Sequence, residues 1–455
     1  MANNGKKTIL FMTDLADTGF GRVGQEIVKR FALSGMYNVV YLGWVARNPA
    51  VVEKWKELGV VVQMCDGSIE DQFAQKTLPR AIEHYQPDLI WTLGDPWMVD
   101  HVSKMPGYGQ DWRWISYVPI DRDELNKSWL PALKAPDALV LYSHFGAEVV
   151  KRHLPRVQTE VIYHGVDTDV FRPMDKAACK QALGIDPSTF IFGFVGRNQI
   201  RKRIPRFMRA FHFWNCQRYQ ENAEIKVRND GHDELWNARD YARQVCHMRP
   251  EHYMRGGHFR QLPDRANSAV YLHTTKGYTD QNDGLWVGWN LNEYSTRFNL
   301  DDNVMGKPSR TMLPSEKSMA NIEHYLPDEH LAKLYNIIDV HVMPSCREGF
   351  GLPIIEAASS GLPSIVTGYS SMPELVADGR GMSVPPSDFD DEPFFDAPSA
   401  LVDIAGLVEA MNQAVAEHAS GAWAERQKTC RAWAVEHTWD KKFGEFHKLV
   451  KEVMI

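Results

Sequence analysis

The 455-residue sequence predicts an α/β protein of two doubly wound domains. Three observations carry this. Short apolar runs alternate with helical stretches through the first third of the chain. A second series of the same kind follows the segment Gly165-Val166-Asp167-Thr168-Asp169. The length exceeds what one hydrophobic core ordinarily serves. Doubly wound sheets are parallel, so ligands are expected at the strand carboxyl ends, in a cleft between the two domains.

In the first series the strand candidates are residues 8–13, 38–42, 60–64, 88–92, 114–118, 138–142 and 160–163. Each is a run of apolar, β-branched or aromatic residues too short for a buried helix, as suits strands covered on both faces. Helical spacing at 22–34 and 145–153 supplies crossovers. The second series contains strands at 190–195, 268–273, 340–343 and 364–367. The first domain is placed at 1–168 and the second at 169–437. The tail 438–455 carries Trp439, Phe443, Phe446 and Leu449 near helical spacing and reads as a last helix. Residues 229–266 read as an insertion, and 387–397 (SDFDDEPFFDA) as an acidic surface loop.

Composition narrows the class. Apolar residues at 44% and charged residues at 24% fit a soluble globular protein. No run approaches 18 consecutive apolar residues, so no membrane span is expected. The N-terminal residues lack a signal-peptide pattern. Cysteines at 65, 179, 216, 246, 346 and 430 form no CxxC pair, which points to reduced thiols and a cytoplasmic location rather than a disulfide or zinc framework. A net charge of −7 argues against a globally basic polyanion binder.

Two segments carry chemistry. In Glu348-Gly-Phe-Gly-Leu-Pro-Ile-Ile-Glu356, two carboxylates flank a glycine turn that follows a strand. Pro353 suits the first turn of a helix and Gly361 its end. Gly349, Phe350, Gly351 and Leu352 would present backbone N–H groups where helix polarity favours an anion. Two acceptor-only carboxylates beside such donors suit a nucleotide sugar, one for sugar hydroxyls and one for ribose. The bland alternative is a helix carboxylate plus a solvated loop glutamate. In the second segment, a strand ends at Gly196 and Arg197, Arg201, Lys202 and Arg203 follow. Cations opening a helix oppose its dipole, so a diphosphate would compensate them.

The run EGFGLPIIEAASSGLPSIVTGYSSMPELV, with its small-residue helix and later Pro373-Glu374, resembles the donor-site signature of the retaining GT-B glycosyltransferases of the family 4-like kind. The resemblance implies the GT-B plan, two Rossmann-like domains facing a central cleft, with the last helix returning to the first, acceptor-side domain. It implies a nucleotide-sugar co-substrate, UDP- or GDP-linked, bound by the second domain, and neither a metal nor another cofactor. It assigns the donor pyrophosphate to Arg197 and Lys202; Arg201 or Arg203 could substitute. Glu348 would serve the sugar and Glu356 the ribose.

Other residues stay open between two readings. His164, in a His-Gly-Val-Asp sequence common in that family, is either a donor ligand or a packed turn histidine. Gly19, Gly21 and Gly24 form a literal GxGxxG. A dinucleotide reading is disfavoured, because the loop after the first strand is too long and Leu42-Gly43-Trp44 offers no acid to a ribose. Gly19 and Gly21 are left as a donor-facing loop or a structural turn. Asp121 stands where many family members carry a histidine near the reacting sugar, and it is expected to face the cleft. Residues 197–265 hold 15 Lys and Arg against 8 Asp and Glu, an excess of +7. That is either a solvated excursion or a surface for a polyanionic acceptor, a glycan or hydroxymethylated DNA. Trp91, Trp97, Trp112, Trp114 and Trp129 are either core or stacking residues. The sequence thus favours sugar transfer to a glycan, small-molecule or DNA hydroxyl. A non-catalytic nucleic-acid- or glycan-binding protein and a nucleotide-sugar epimerase are the alternatives.

Overall fold

A computed structural model describes residues 5–16, 18–44, 49–216, 224–229, 232–237, 268–274, 288–298, 300, 311–312, 326–391 and 398–455. The chain divides into two units. One comprises 1–167, 348–352 and 436–455; the other comprises 168–347 and 353–435.

The first unit is a seven-stranded sheet of β1 (Thr8–Thr13), β2 (Asn38–Gly43), β3 (Val61–Met64), β4 (Leu89–Leu93), β5 (Arg113–Val118), β6 (Ala138–Leu141) and β7 (Thr159–Val161), in the order β3-β2-β1-β4-β5-β6-β7. Every described pairing is parallel. β1 is buried along its whole length because helices cover both faces. The Gly19–Leu33 helix lies close against β1, with Gly24 where a Cβ would meet the Thr13 methyl at 2.5 Å. The final helix, Trp439–Val453, packs on the same unit: Phe443 meets Phe31 edge-on at 5.1 Å, and Phe446 meets Trp91 and Tyr117 at 5.3 Å.

The second unit holds β8 (Phe190–Val195), β11 (Ser268–His273), β12 (Thr311–Met312), β13 (Val340–Met343), β14 (Ser364–Thr367) and β15 (Met382–Val384), ordered β12-β11-β8-β13-β14-β15. Two antiparallel pairs accompany it: β9 (Glu224–Asn229) with β10 (His232–Asn237), and β16 (Pro386–Asp391) with β17 (Pro398–Val402). The expected acidic loop therefore begins as a strand. Its partner lies beyond it in sequence, where no local signal announces the pairing. Most of the expected insertion at 229–266 lies outside the described residues.

Counted from its own first strand, each sheet runs third-second-first-fourth-fifth-sixth. Each therefore has a switch point, β1/β4 in one and β8/β13 in the other, where neighbouring crossovers leave in opposite directions and a crevice opens at the carboxyl ends.

The β8/β13 neighbourhood is fixed from the opposite end by Asp339. Its Oδ2 accepts from Ile191 N at 2.9 Å and Lys180 Nζ at 2.8 Å, and its Oδ1 from Lys176 Nζ at 2.9 Å. Burial alone would raise this carboxyl, yet the two ammonium groups hold it below its ordinary value. Removing one partner of a buried ion pair strands the others. Asp339→Ala should therefore cost about 3–5 kcal/mol, read as a lowered urea midpoint at pH 7.

Buried neutral histidines set the acid limit. Burial depresses His164 and His341 to about 3 and His212 to about 4. Below the ordinary histidine value of about 6.5, the unfolded chain takes up protons that these rings refuse. Stability should be complete above that pH and fall steadily as pH drops towards 4. His341→Asn should flatten the slope of unfolding free energy against pH by up to about 1.4 kcal/mol per unit. An unchanged slope would show that His341 titrates alike in both states.

Candidate functional site

The two chemistry-bearing segments emerge from adjacent strands at the switch point of the second sheet. β8 runs into residues 196–203 and β13 into 344–348, and β8 pairs with β13. Cys346 N donates to Arg201 O at 2.8 Å, and the Arg201 guanidinium donates to Arg347 O at 3.2 Å. Segments about 150 positions apart are thereby stitched into one surface.

The four cations of the basic run diverge. Arg197 is exposed. Arg201 is spent partly on the Arg347 carbonyl. Lys202 closes the Ile200–Lys202 turn and is buried; its charge reaches His341 in β13 and adds to that ring's reluctance to protonate. Arg203 takes a left-handed φ of 48°, reaches Asp390 at 3.4 Å and lies 6.0 Å over the Trp289 ring. The four cations expected to act together thus occupy four different environments, and Arg203 is held by Asp390 and Trp289.

The helix opened by the glutamate motif is Leu352–Ser359. Gly351 has φ 111°, a backbone a side chain would strain, and Gly361 at φ 70° ends the following turn. Glu356 is 3% exposed, and its Oε2 accepts from Tyr335 Oη at 2.7 Å. A carboxylate buried on an apolar helix requires such donors. Glu348 is also buried. Residues 348–352 group with the first unit. There Gly349 stands where a Cβ would come within 2.6 Å of Pro119, and the Phe350 ring meets His164 at 4.6 Å and Tyr163 at 5.5 Å.

Sequence reasoning missed a row of polar groups at the carboxyl ends of the second sheet. Among the described residues, His273 Nδ1 and Thr274 Oγ1 after β11, Ser345 Oγ after β13 and Thr367 Oγ1 at the end of β14 are buried without a hydrogen-bond partner. Each such group costs about 1–3 kcal/mol if nothing satisfies it, so their alignment on one edge suits a polar ligand. The legible signal was a polar residue closing each apolar run.

In the first unit, the glycines of the GxGxxG lie within a helix rather than in a loop. Thr18 caps that helix, accepting from Gly21 N at 3.0 Å, and Asp14 accepts from Ala16 N at 2.8 Å and from the Thr18 hydroxyl. A Cβ on Gly21 would overlap Ala16 O at 1.7 Å, whereas Gly19 has open space. His164 is enclosed by Tyr117, Tyr142, Phe350 and Trp439. Tyr117 Oη donates to Ile162 O at 2.7 Å and lies 2.8 Å from His164 Nδ1. With the phenol proton committed to Ile162, Nδ1 carries the hydrogen and Nε2 is the acceptor, a tautomer assigned from the network. Asp121 follows β5 and pairs with Arg122 Nε at 3.2 Å. Trp91, Trp112 and Trp114 are core; Trp97 and Trp129 reach the surface. Most of the basic stretch 197–265 beyond residue 216 lies outside the described residues.

Residues 317–397 match the family model "Glycosyl transferases group 1". The chain is 27% identical over 286 residues to a D-inositol 3-phosphate glycosyltransferase of Kribbella flavida, covering 63% of this chain and 50% of that protein. It is 47% identical over 66 residues to the O-antigen chain mannosyltransferase B of Escherichia coli, 14% of this chain and 17% of that one. The chain thus spans half or less of the length of these curated relatives. Among solved structures, Anabaena HepE in complex with UDP and glucose superposes with a TM-score of 0.65 at 14% identity, covering 98% of this chain and 100% of that chain. Sucrose-phosphate synthase from Thermosynechococcus elongatus gives 0.65 at 16% identity, over 98% of this chain and 99% of that chain. The chain has the α/β GT-B fold, and its residues 317–397 are similar to the group 1 glycosyl transferases.

Proposed function

We propose that this protein transfers a glycosyl group from a nucleoside diphosphate donor to an acceptor hydroxyl, with retention of anomeric configuration. The observation that carries the reading is the stitched pair of segments at the β8/β13 switch point, where the basic run and the glutamate motif share one strand edge. The UDP and glucose bound by HepE support a UDP-linked donor, and a GDP-linked donor is the other candidate.

In this reading Glu356 accepts from ribose hydroxyls while Tyr335 holds its other side. Glu348 accepts from the transferred sugar. Arg197, Lys202 and the backbone N–H groups of 349–352 meet the diphosphate charge, so no metal is required for it. Catalysis is then positioning together with cations placed where negative charge grows as the diphosphate leaves.

A panel of UDP- and GDP-sugars, assayed for diphosphate release with EDTA present, tests the reading. Retention is read from the anomeric proton coupling of the product. Binding without turnover would favour a non-catalytic binding protein, and an isomerised donor would favour an epimerase. Glu356→Ala should raise donor Kd about ten- to a hundredfold, the cost of a charge-assisted hydrogen bond; calorimetry showing wild-type Kd would remove it from the site. Lys202→Ala should slow kcat by about 10²–10³. Wild-type kcat in that variant would make Lys202 a packing residue.

A further inference from the structure

The turn that leaves β8 is held by a residue 91 positions further along the chain. Asn198 is buried, and its side-chain amide pairs with both main-chain groups of Trp289: Nδ2 donates to Trp289 O at 2.7 Å, and Oδ1 accepts from Trp289 N at 2.8 Å. A primary amide carries the donor and the acceptor of a peptide group, so Asn198 stands in for a strand neighbour of Trp289, and only one orientation of the amide satisfies both partners. The Trp289 indole then donates from Nε1 to Ile200 O at 3.1 Å, a carbonyl that also accepts from Arg203 N at 3.1 Å. Gly288 is required beside this clasp, because a Cβ would come within 2.6 Å of Asn198 O.

Trp289 is itself backed by a row of rings. It meets Tyr294 edge-on at 5.8 Å, Tyr294 meets Phe298 at 5.9 Å, and Phe298 meets His212 at 6.0 Å. Tyr294 lies on the helix Leu291–Arg297, and His212 on the helix Ile204–Cys216, which continues from the basic run itself. The run, its own helix, the aromatic row and Trp289 therefore form a closed circuit. At the other end of the turn, Gly196 N donates to His273 O at 3.1 Å. Arg197 thus stands between two main-chain positions that are both tied down.

We infer that Asn198 and Trp289 are positioning residues for the donor diphosphate, acting through Arg197 and the 200–203 turn without touching the donor. The inference rests on the proposed glycosyl transfer, which puts the diphosphate on this run. Four cations within seven positions repel one another, so an unbraced run would splay before an anion arrived. The clasp opposes that with neutral groups. A carboxylate in the place of the amide would draw in the same cations that a phosphate needs. With the main chain pinned on both sides, only the side-chain torsions of Arg197 remain to be ordered on binding. Cations that need not be reassembled stabilise developing charge best.

The test uses the full chain, with UDP and GDP as anionic probes and uridine and guanosine as the matching uncharged ones. Asn198→Ala should raise the Kd of the diphosphate that binds about ten- to a hundredfold, the range for a charge-assisted hydrogen bond. The matching nucleoside should bind as in wild type, because it carries no phosphate. With the sugar donor that turns over, kcat should fall about 10- to 100-fold, the cost of a small misplacement. Trp289→Phe keeps the main-chain pairing and the ring, and should retain most of the diphosphate affinity. Hydrogen exchange without ligand gives a readout independent of binding: the amides of Lys202 and Arg203, which donate to Gln199 O at 3.0 Å and Ile200 O at 3.1 Å, should exchange faster in Asn198→Ala. Unchanged exchange, unchanged diphosphate affinity, or equal losses for diphosphate and nucleoside in Asn198→Ala would overturn the inference. A wild type that binds UDP and GDP no tighter than their nucleosides, with the exchange difference intact, would instead overturn the proposed diphosphate placement and leave the clasp standing.

Discussion

The pairing of β8 with β13 is the constraint on which the meeting of the basic run and the glutamate motif depends. The strands lie side by side yet about 150 residues apart in sequence. Gly193 makes their close approach possible, since a Cβ there would collide with Ile338 at 2.4 Å. Asp339 N donates to Ile191 O at 2.8 Å while the Asp339 carboxylate accepts from Ile191 N at 2.9 Å, which fixes the register at the amino end. A slip of one residue would turn every side chain to the opposite face. With register fixed at one end, the segments leaving the other end meet, and Cys346 N reaches Arg201 O. The salt-bridged cluster lies at the amino ends of the two strands, yet it decides whether the basic run and the glutamate motif share a surface.

Much of this was legible from local pattern. Strands buried on both faces announce themselves as apolar runs, and β1, β8, β11, β13 and β14 lie at the residues so read. The turn and helix of the glutamate motif follow from Gly351, Pro353 and Gly361. What sequence could not supply was side-chain partnership across distance. Tyr335 and Glu356 are 21 residues apart, and Lys176 and Asp339 are 163 apart. The β16–β17 pair was hidden because its first strand alternates acidic residues with Phe389, the pattern of a solvated loop. Tryptophans were equally mute: Trp91 and Trp97 look alike in sequence, and only packing separates a core ring from a half-exposed one.

The basic run shows how charge counting misleads. Arg197, Arg201, Lys202 and Arg203 fall within seven positions, but they occupy different environments. Arg203 in a left-handed turn is committed to Asp390 and Trp289. Arg201 ties two segments together. Arg197 is exposed, whereas Lys202 is buried and its charge reaches His341. A neutral His341 beside Lys202 is physically consistent, because a second cation there would be repelled as well as desolvated.

The two sheets repeat one strand order and yet present opposite edges. The second ends its strands on cations, a helix N-terminus and unpartnered neutral polar groups. The first ends three neighbouring strands on Asp14, Asp95 and Asp121, beside the ring contacts of Trp44, Phe73 and Trp97. Strand order explains why each edge opens a crevice, because the crossovers part at the first and fourth strands of each. It does not explain what fills the crevice; the residue placed just beyond each strand does. The same architecture used twice thus yields two edges of different chemistry.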